Sequence, residues 1–173
     1  MFKWLSVILI FTTSVSFGLY KSYEIRQRKE ILSDFQDMME RIVTEIAYFK
    51  SPLPVIISQM ISSENRISNQ LLRNCYGQYA YSEQRKDFIE IWKTAVDETY
   101  QMQPVKTDDL SVFYRFGSIL GQSSYNAQKG HFELIEKELL RRIDDAEAEY
   151  KTTGNLYRKA GVSVGAVLAV AFL

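Results

Sequence analysis

The chain has 173 residues, 46% hydrophobic and 24% charged, enough for one ordinary domain with its own apolar core and little else. Its 21 basic and 21 acidic side chains cancel, so no global basic field gathers nucleic acid, and a lone cysteine, Cys75, excludes an internal disulfide. The charges are unevenly placed: every acidic residue lies between Glu24 and Glu149, while residues 4–20 and 160–173 carry none. A charged middle, suited to the cytosol, is framed by two apolar ends.

The first element in the chain is "WLSVILIFTTSVSFGLY", with Trp4 and Tyr20 at the positions of interfacial anchors and a length close to that needed to cross a hydrocarbon layer of roughly 30 Å. It reads as a transmembrane helix; a cleaved signal peptide, with Ser14 and Ser16 near the cleavage point, is the competing reading. Lys21, Arg26, Arg28 and Lys29 follow it, against Lys3 alone before it, which holds the following segment in the cytoplasm and points the start outward.

From Ile25 the apolar residues Leu32, Phe35, Met39, Ile42, Ile46 and Phe49 fall in steps of seven, three and four, one stripe on a helix that Arg28 interrupts. No helix breaker separates Tyr20 from Lys50, so the spacing predicts one continuous helix up to "SPLP", where Pro52 and Pro54 end it and start another. Short helices are expected over about 54–62 and 66–80. A fourth, capped by Ser82, runs to about Tyr100 with Phe88, Ile91, Trp92, Ala95 and Val96 inward. After Pro104, Thr107 or Asp108 caps "LSVFYRFGSILG", Gly121 stops it, and Ser123 or Ser124 restarts the chain.

The last helix carries Phe132, Ile135, Leu139, Ile143, Ala146 and Tyr150 inward and continues into the apolar tail. Lys151, Arg158 and Lys159 precede that tail and nothing basic follows, so both ends place the middle on one side. Residues 160–173 reach only about 21 Å as a helix, at ~1.5 Å per residue. They form a marginal span, or else a buried helix or a membrane-dipping tail. Ser14 and Gly18, and Gly161 and Gly165, repeat the spacing by which helices approach closely in lipid, so the two ends are expected to cross as an antiparallel pair.

The expected architecture is all-α: an antiparallel helical bundle of about six helices, flanked by N- and C-terminal transmembrane helices. The divisions fall at residues 1–22, 23–156 and 157–173.

Chemistry is harder to find. His131 stands alone, without the Glu-x-x-His pairs of a di-metal bundle, and Cys75 lies on an apolar stripe with no histidine near it. No GxxxxGK[ST] loop is present, and the scattered tyrosines and phenylalanines lack a basic groove. Glu136, Glu138, Asp144, Asp145, Glu147 and Glu149 alternate with Lys137, Arg141 and Arg142, a pattern typical of a solvated face. No catalytic, cofactor-binding or metal-binding residue is therefore assigned. Gly117 costs its helix roughly 1 kcal/mol relative to alanine. It points to a backbone that something must approach closely, either in a tight helical corner or at a partner's docking site.

"EIAYFKSPLP", the Trp92 helix, "FGSILGQSSYNAQKGHF" and "YRKAGVSVGAVLAVAFL" together resemble the stage III sporulation protein AB family, over essentially the whole chain. The strongest positions are Glu45, Tyr48, Pro52, Leu53 and Pro54, then Phe116, Gly117, Leu120, Gly121, Ser123 and Gln128. Ser124 stands where the family commonly has an aspartate; serine also caps helices, so the corner survives while a charge-based contact does not.

The resemblance implies a small bundle similar to the cytoplasmic domains of type II secretion F proteins. It implies a non-enzymatic platform in the complex joining mother cell and forespore. The implied partners are a secretion-type ATPase, the other membrane subunits of the stage III complex and the lipid bilayer, with no nucleic acid and no cofactor. The bundle then faces the mother-cell cytoplasm, with both termini on the opposite side of the membrane. Two rivals stand beside this: a membrane-tethered adaptor or sensor for a coiled-coil partner, and a membrane-tethered hydrolase.

Overall fold

The computed structural model describes residues 2–49, 52–81, 87–120 and 125–171, with the side chains of 2–7, 10, 49, 81, 125–128 and 168–171 outside the description. Its described residues form helices and no strand: α1 (Phe2–Phe49), α2 (Leu53–Met60), α3 (Ile67–Tyr81), α4 (Phe88–Tyr100), α5 (Thr107–Leu120), α6 (Tyr125–Glu149), a π-helical turn (Tyr150–Gly154) and α7 (Asn155–Ala171). They make up two compact units, residues 30–143 and residues 1–29 with 144–173.

The unit of residues 30–143 is a helical bundle closed by large side chains. The α1 stripe buries Ile31, Leu32, Phe35, Met38, Met39 and Ile42, and α3, α4, α5 and α6 contribute Leu71, Trp92, Phe113, Phe116 and Leu139 among others. Phe35 stacks on Phe113 with centroids 3.9 Å apart, and Phe116 meets Phe35, Trp92 and Phe132 at 5.7 to 5.8 Å. Each such side chain contributes roughly 1.5 to 3 kcal/mol by burial.

Local chemistry sets the helix ends in this unit. Pro52 precedes α2 and its carbonyl accepts from the amides of Val55 and Ile56, while Pro54 sits in the first turn, where a missing N–H costs nothing. The α3 start is capped from another helix: Asp34 of α1 accepts from the amide and hydroxyl of Ser68, at 2.8 and 2.9 Å. The α4 cap is Asp87, which accepts from the Ile89 amide at 3.4 Å; the expected cap, Ser82, lies outside the described residues. Neither Thr107 nor Asp108 makes the capping bond before α5. Asp109, one turn in, accepts instead from the Lys106 amide at 2.9 Å, the return half of a capping box.

The second unit is an antiparallel helical hairpin made by the start of α1 and the π turn with α7. Gly18, Ser22, Gly154 and Gly165 are buried, whereas Ile8, Leu9, Phe17, Leu19, Leu156, Val164 and Val167 are exposed. Large apolar side chains thus face outward and small ones inward. The apolar segments expected at 1–22 and 157–173 both fall in this hairpin, which also takes in charged residues up to Lys29 and from Asp144. Among the described residues no helix is long and apolar enough to cross a membrane.

Candidate functional site

In the hairpin the structure brings Ser14, Gly18 and Gly161 together. A β-carbon built on Gly18 would lie 2.6 Å from the Tyr157 carbonyl oxygen and 3.0 Å from the Gly161 Cα. One built on Gly161 would lie 3.0 Å from the Ser14 carbonyl oxygen, and the Ser14 hydroxyl donates to the Gly161 carbonyl at 3.0 Å. Gly165 faces Phe11, and Gly154 faces Ser22 and the ring of Tyr150. The two backbones therefore touch where only hydrogen fits. Thr12 and Thr13 donate their hydroxyls back to carbonyls of Ile8 and Leu9, so they need no water.

The charged end of the hairpin is tied across. Arg28, only 8% exposed in its side chain, pairs with Glu149 at 2.9 Å, and Lys29 pairs with Glu147 at 2.9 Å. Lys151 joins Glu147 from one turn along, and hydrogen bonds from Lys151 and Lys29 pull the Glu147 carboxyl down to about 2. The acidic face of the last helix is accordingly not a simple solvated one. Arg28's interruption of the apolar stripe was the signal for this, because a buried arginine needs an acid opposite it.

A second network lies on α5 and α6 in the bundle. Asp109 is fully buried, Arg142 lies 3.7 Å from it, and Glu138 accepts from Arg142 at 3.1 Å and from Arg115. Burial raises the Glu138 carboxyl pKa, but the two arginine bonds outweigh it and the net direction is down. Tyr114 donates to Asp97, and burial together with that bond pushes its phenol up to about 12.

The motif residues of the bundle divide into core and surface. Phe116, Gly117 and Leu120 are buried. A β-carbon on Gly117 would sit 2.0 Å from Trp92 Cδ1, and the Trp92 indole N–H donates to the Phe113 carbonyl at 2.9 Å. Gly117 is one turn beyond Phe113, so its missing side chain opens that carbonyl to the indole. The close approach read from the sequence is made by this chain's own tryptophan.

Tyr48 is 79% exposed, Pro52 is exposed, and Glu45, Leu53 and Pro54 are half-buried around the α1–α2 corner. Gly121, Ser123 and Ser124 lie outside the described residues, as does the Gln128 side chain.

Reactive groups are sparse. Burial pushes the Cys75 thiol up to about 12, which keeps it a neutral, poor nucleophile, and His131 is exposed. No group of three or more metal-ligating side chains occurs among the described residues.

The family model described as Stage III sporulation protein AB matches residues 3–173. A solved structure titled Stage III sporulation protein AB (SpoIIIAB) is similar with a TM-score of 0.64 at 18% identity, covering 72% of this chain and 96% of that chain. No curated protein gives a match. With nearly the whole sequence covered by the family model, the chain belongs to the stage III sporulation protein AB family, a family of sporulation proteins.

Proposed function

We propose that the chain is a non-enzymatic membrane platform subunit of the sporulation complex that joins mother cell and forespore. In this reading the hairpin anchors it in the bilayer, the bundle faces the mother-cell cytoplasm, and both termini lie across the membrane. The observation that carries the reading is the inverted hairpin, with glycine and serine inside and leucine, valine and phenylalanine outside. A hairpin in water gains stability by the opposite arrangement. In lipid, burying apolar side chains gains nothing, and close backbone contact with satisfied hydroxyls is what remains. The basic residues beside each apolar end, Lys21 to Lys29 and Lys151 to Lys159, favour retention of the bundle in the cytoplasm.

The bundle docks a secretion-type ATPase and the hairpin contacts the other membrane subunits. The chain's lack of a phosphate loop suits a part that receives work rather than hydrolysing nucleotide. The α1–α2 corner, with exposed Tyr48 between Glu45 and Pro52, is the docking face favoured by its motif residues.

Two measurements test this. With Cys75→Ser as background, a cysteine replacing Met102, which is 90% exposed, should react with an impermeant maleimide only after cells are opened. Reaction in intact cells would overturn the topology. The protein should resist alkaline extraction from membranes and co-purify with the ATPase, and Tyr48→Ala should weaken only the second property. Normal heat-resistant spores from a deletion strain would count against the whole reading.

A further inference from the structure

The contacts across the hairpin fix which residues lie at the same depth. Gly18 and Gly161 meet at their Cα atoms, with the Tyr157 carbonyl against Gly18 and the Ser14 carbonyl against Gly161, so Arg158 and Lys159 are level with residues of about 18 to 20 in α1. The first charge of α1 is Lys21. Arg158 and Lys159 therefore sit about 2 to 4 Å farther into the apolar part, at ~1.5 Å per residue.

The other basic side chains around this end have partners: Lys21 with Glu24, Arg28 with Glu149, Lys29 and Lys151 with Glu147, and Arg26 is also engaged. Arg158 and Lys159 are both exposed, and neither makes an ion pair or side-chain hydrogen bond among the described residues. No acidic residue follows Glu149 or precedes Glu24 that could neutralise them.

Side chains of an α-helix lean toward its N-terminus, and α7 begins at the charged end of the hairpin. The stems of Arg158 and Lys159 therefore run back along the hairpin toward the level of Lys21, where exposed Tyr20, Tyr23 and Tyr157 lie. Exposed Leu156 and Val162 flank the pair.

We infer that Arg158 and Lys159 together bind the phosphate of an anionic phospholipid in the leaflet that faces the bundle. The apolar neighbours select a phosphate carrying acyl chains over a free one, since the same site offers grease beside the charge. Long basic stems lying on apolar surface with their heads at the interface are the geometry this binding uses. The inference rests on the membrane reading above and adds a lipid class to it.

The test uses the full chain reconstituted in phosphatidylcholine vesicles containing phosphatidylglycerol. The protein-bound fraction of spin-labelled phosphatidylglycerol is measured against that of spin-labelled phosphatidylcholine. The wild type should prefer the anionic lipid, and Arg158→Gln with Lys159→Gln should cut that preference by about fivefold per charge removed at low salt. The swap Arg158→Lys with Lys159→Arg should keep the preference, and Lys93→Gln, an exposed lysine of the bundle, should leave it unchanged. An unaltered preference in the double glutamine variant overturns the inference. If that variant and the wild type both resist alkaline extraction, the membrane reading survives; if the wild type is extracted, both fall.

Discussion

The bundle and the hairpin hold themselves together by opposite means. The bundle interlocks Phe35, Trp92, Phe113 and Phe116, the largest side chains available, and places charge outside. The hairpin brings Gly18 and Gly161 into backbone contact and leaves its large apolar side chains outside. Water rewards the first arrangement, because removing apolar area from it is the main driving force for folding. A surrounding as apolar as leucine removes that reward, and contact must come from close packing and internally satisfied hydrogen bonds. Glycine serves both regions: in the bundle Gly117 admits an indole ring, in the hairpin Gly18 admits a second backbone.

The sharpest way to break this contrast is at Gly117. Gly117→Ala raises helix propensity by roughly 1 kcal/mol, yet its methyl group would overlap Trp92 and deprive the indole of the Phe113 carbonyl. A net loss of about 3 kcal/mol is expected, read by denaturant unfolding of the full chain in detergent. Unchanged stability would mean the bundle core is plastic. In the hairpin, Gly161→Leu should cost about 2 kcal/mol by forcing the backbones apart. It should abolish crosslinking between cysteines placed at Phe11 and Gly165 in a Cys75→Ser background. Persistent crosslinking would show that the small residues are dispensable.

A smaller effect of opposite sign belongs to Tyr100. Its hydroxyl is buried with no hydrogen-bond partner among the described residues, and burial, helped by the charge of Asp34, raises its pKa. Tyr100→Phe should therefore stabilise the chain by about 1 kcal/mol, and a loss in melting temperature would reveal a bound partner for that hydroxyl.

The smallest expected effect is at the charged end of the hairpin. Glu147 is held at about 2, below its ordinary value of 4.5, so its contribution is present above the ordinary value and is lost as pH falls toward 2. Comparison of wild type and Glu147→Gln should show their stabilities converging over that interval. A constant gap would rule out the pairing with Lys29 and Lys151.

Much of the bundle could be read in advance. The steps of three, four and seven from Leu32 to Ile42 announced which face of α1 is buried, and Pro52 and Pro54 announced where it stops, because both signals act within one or two turns of a helix. The caps were less legible. Asp34 reaches Ser68 from a different helix, and Asp109 acts backward on Lys106, so neither sits where local capping preference looks. The π turn at Tyr150–Gly154 had no visible sign in the sequence; in it Gly154 lies against the ring of Tyr150 and near Ser22 of α1.

The ion pairs follow the same logic. The acids of the last helix looked alike, and folding distinguished Glu138, which meets Arg115, and Glu147 and Glu149, which meet Lys29 and Arg28; of these only the place of Arg28 in an apolar stripe hinted at a pairing.

Periodicity, proline placement and the two uncharged ends were enough to establish an all-helical chain with apolar termini, because each of these is a local or compositional property. Which residues meet was settled in three dimensions. The fit of Trp92 over Gly117, the contact of Gly18 with Gly161 and the partner of Arg28 all join segments far apart in the chain, and sequence spacing carries no information about such distances.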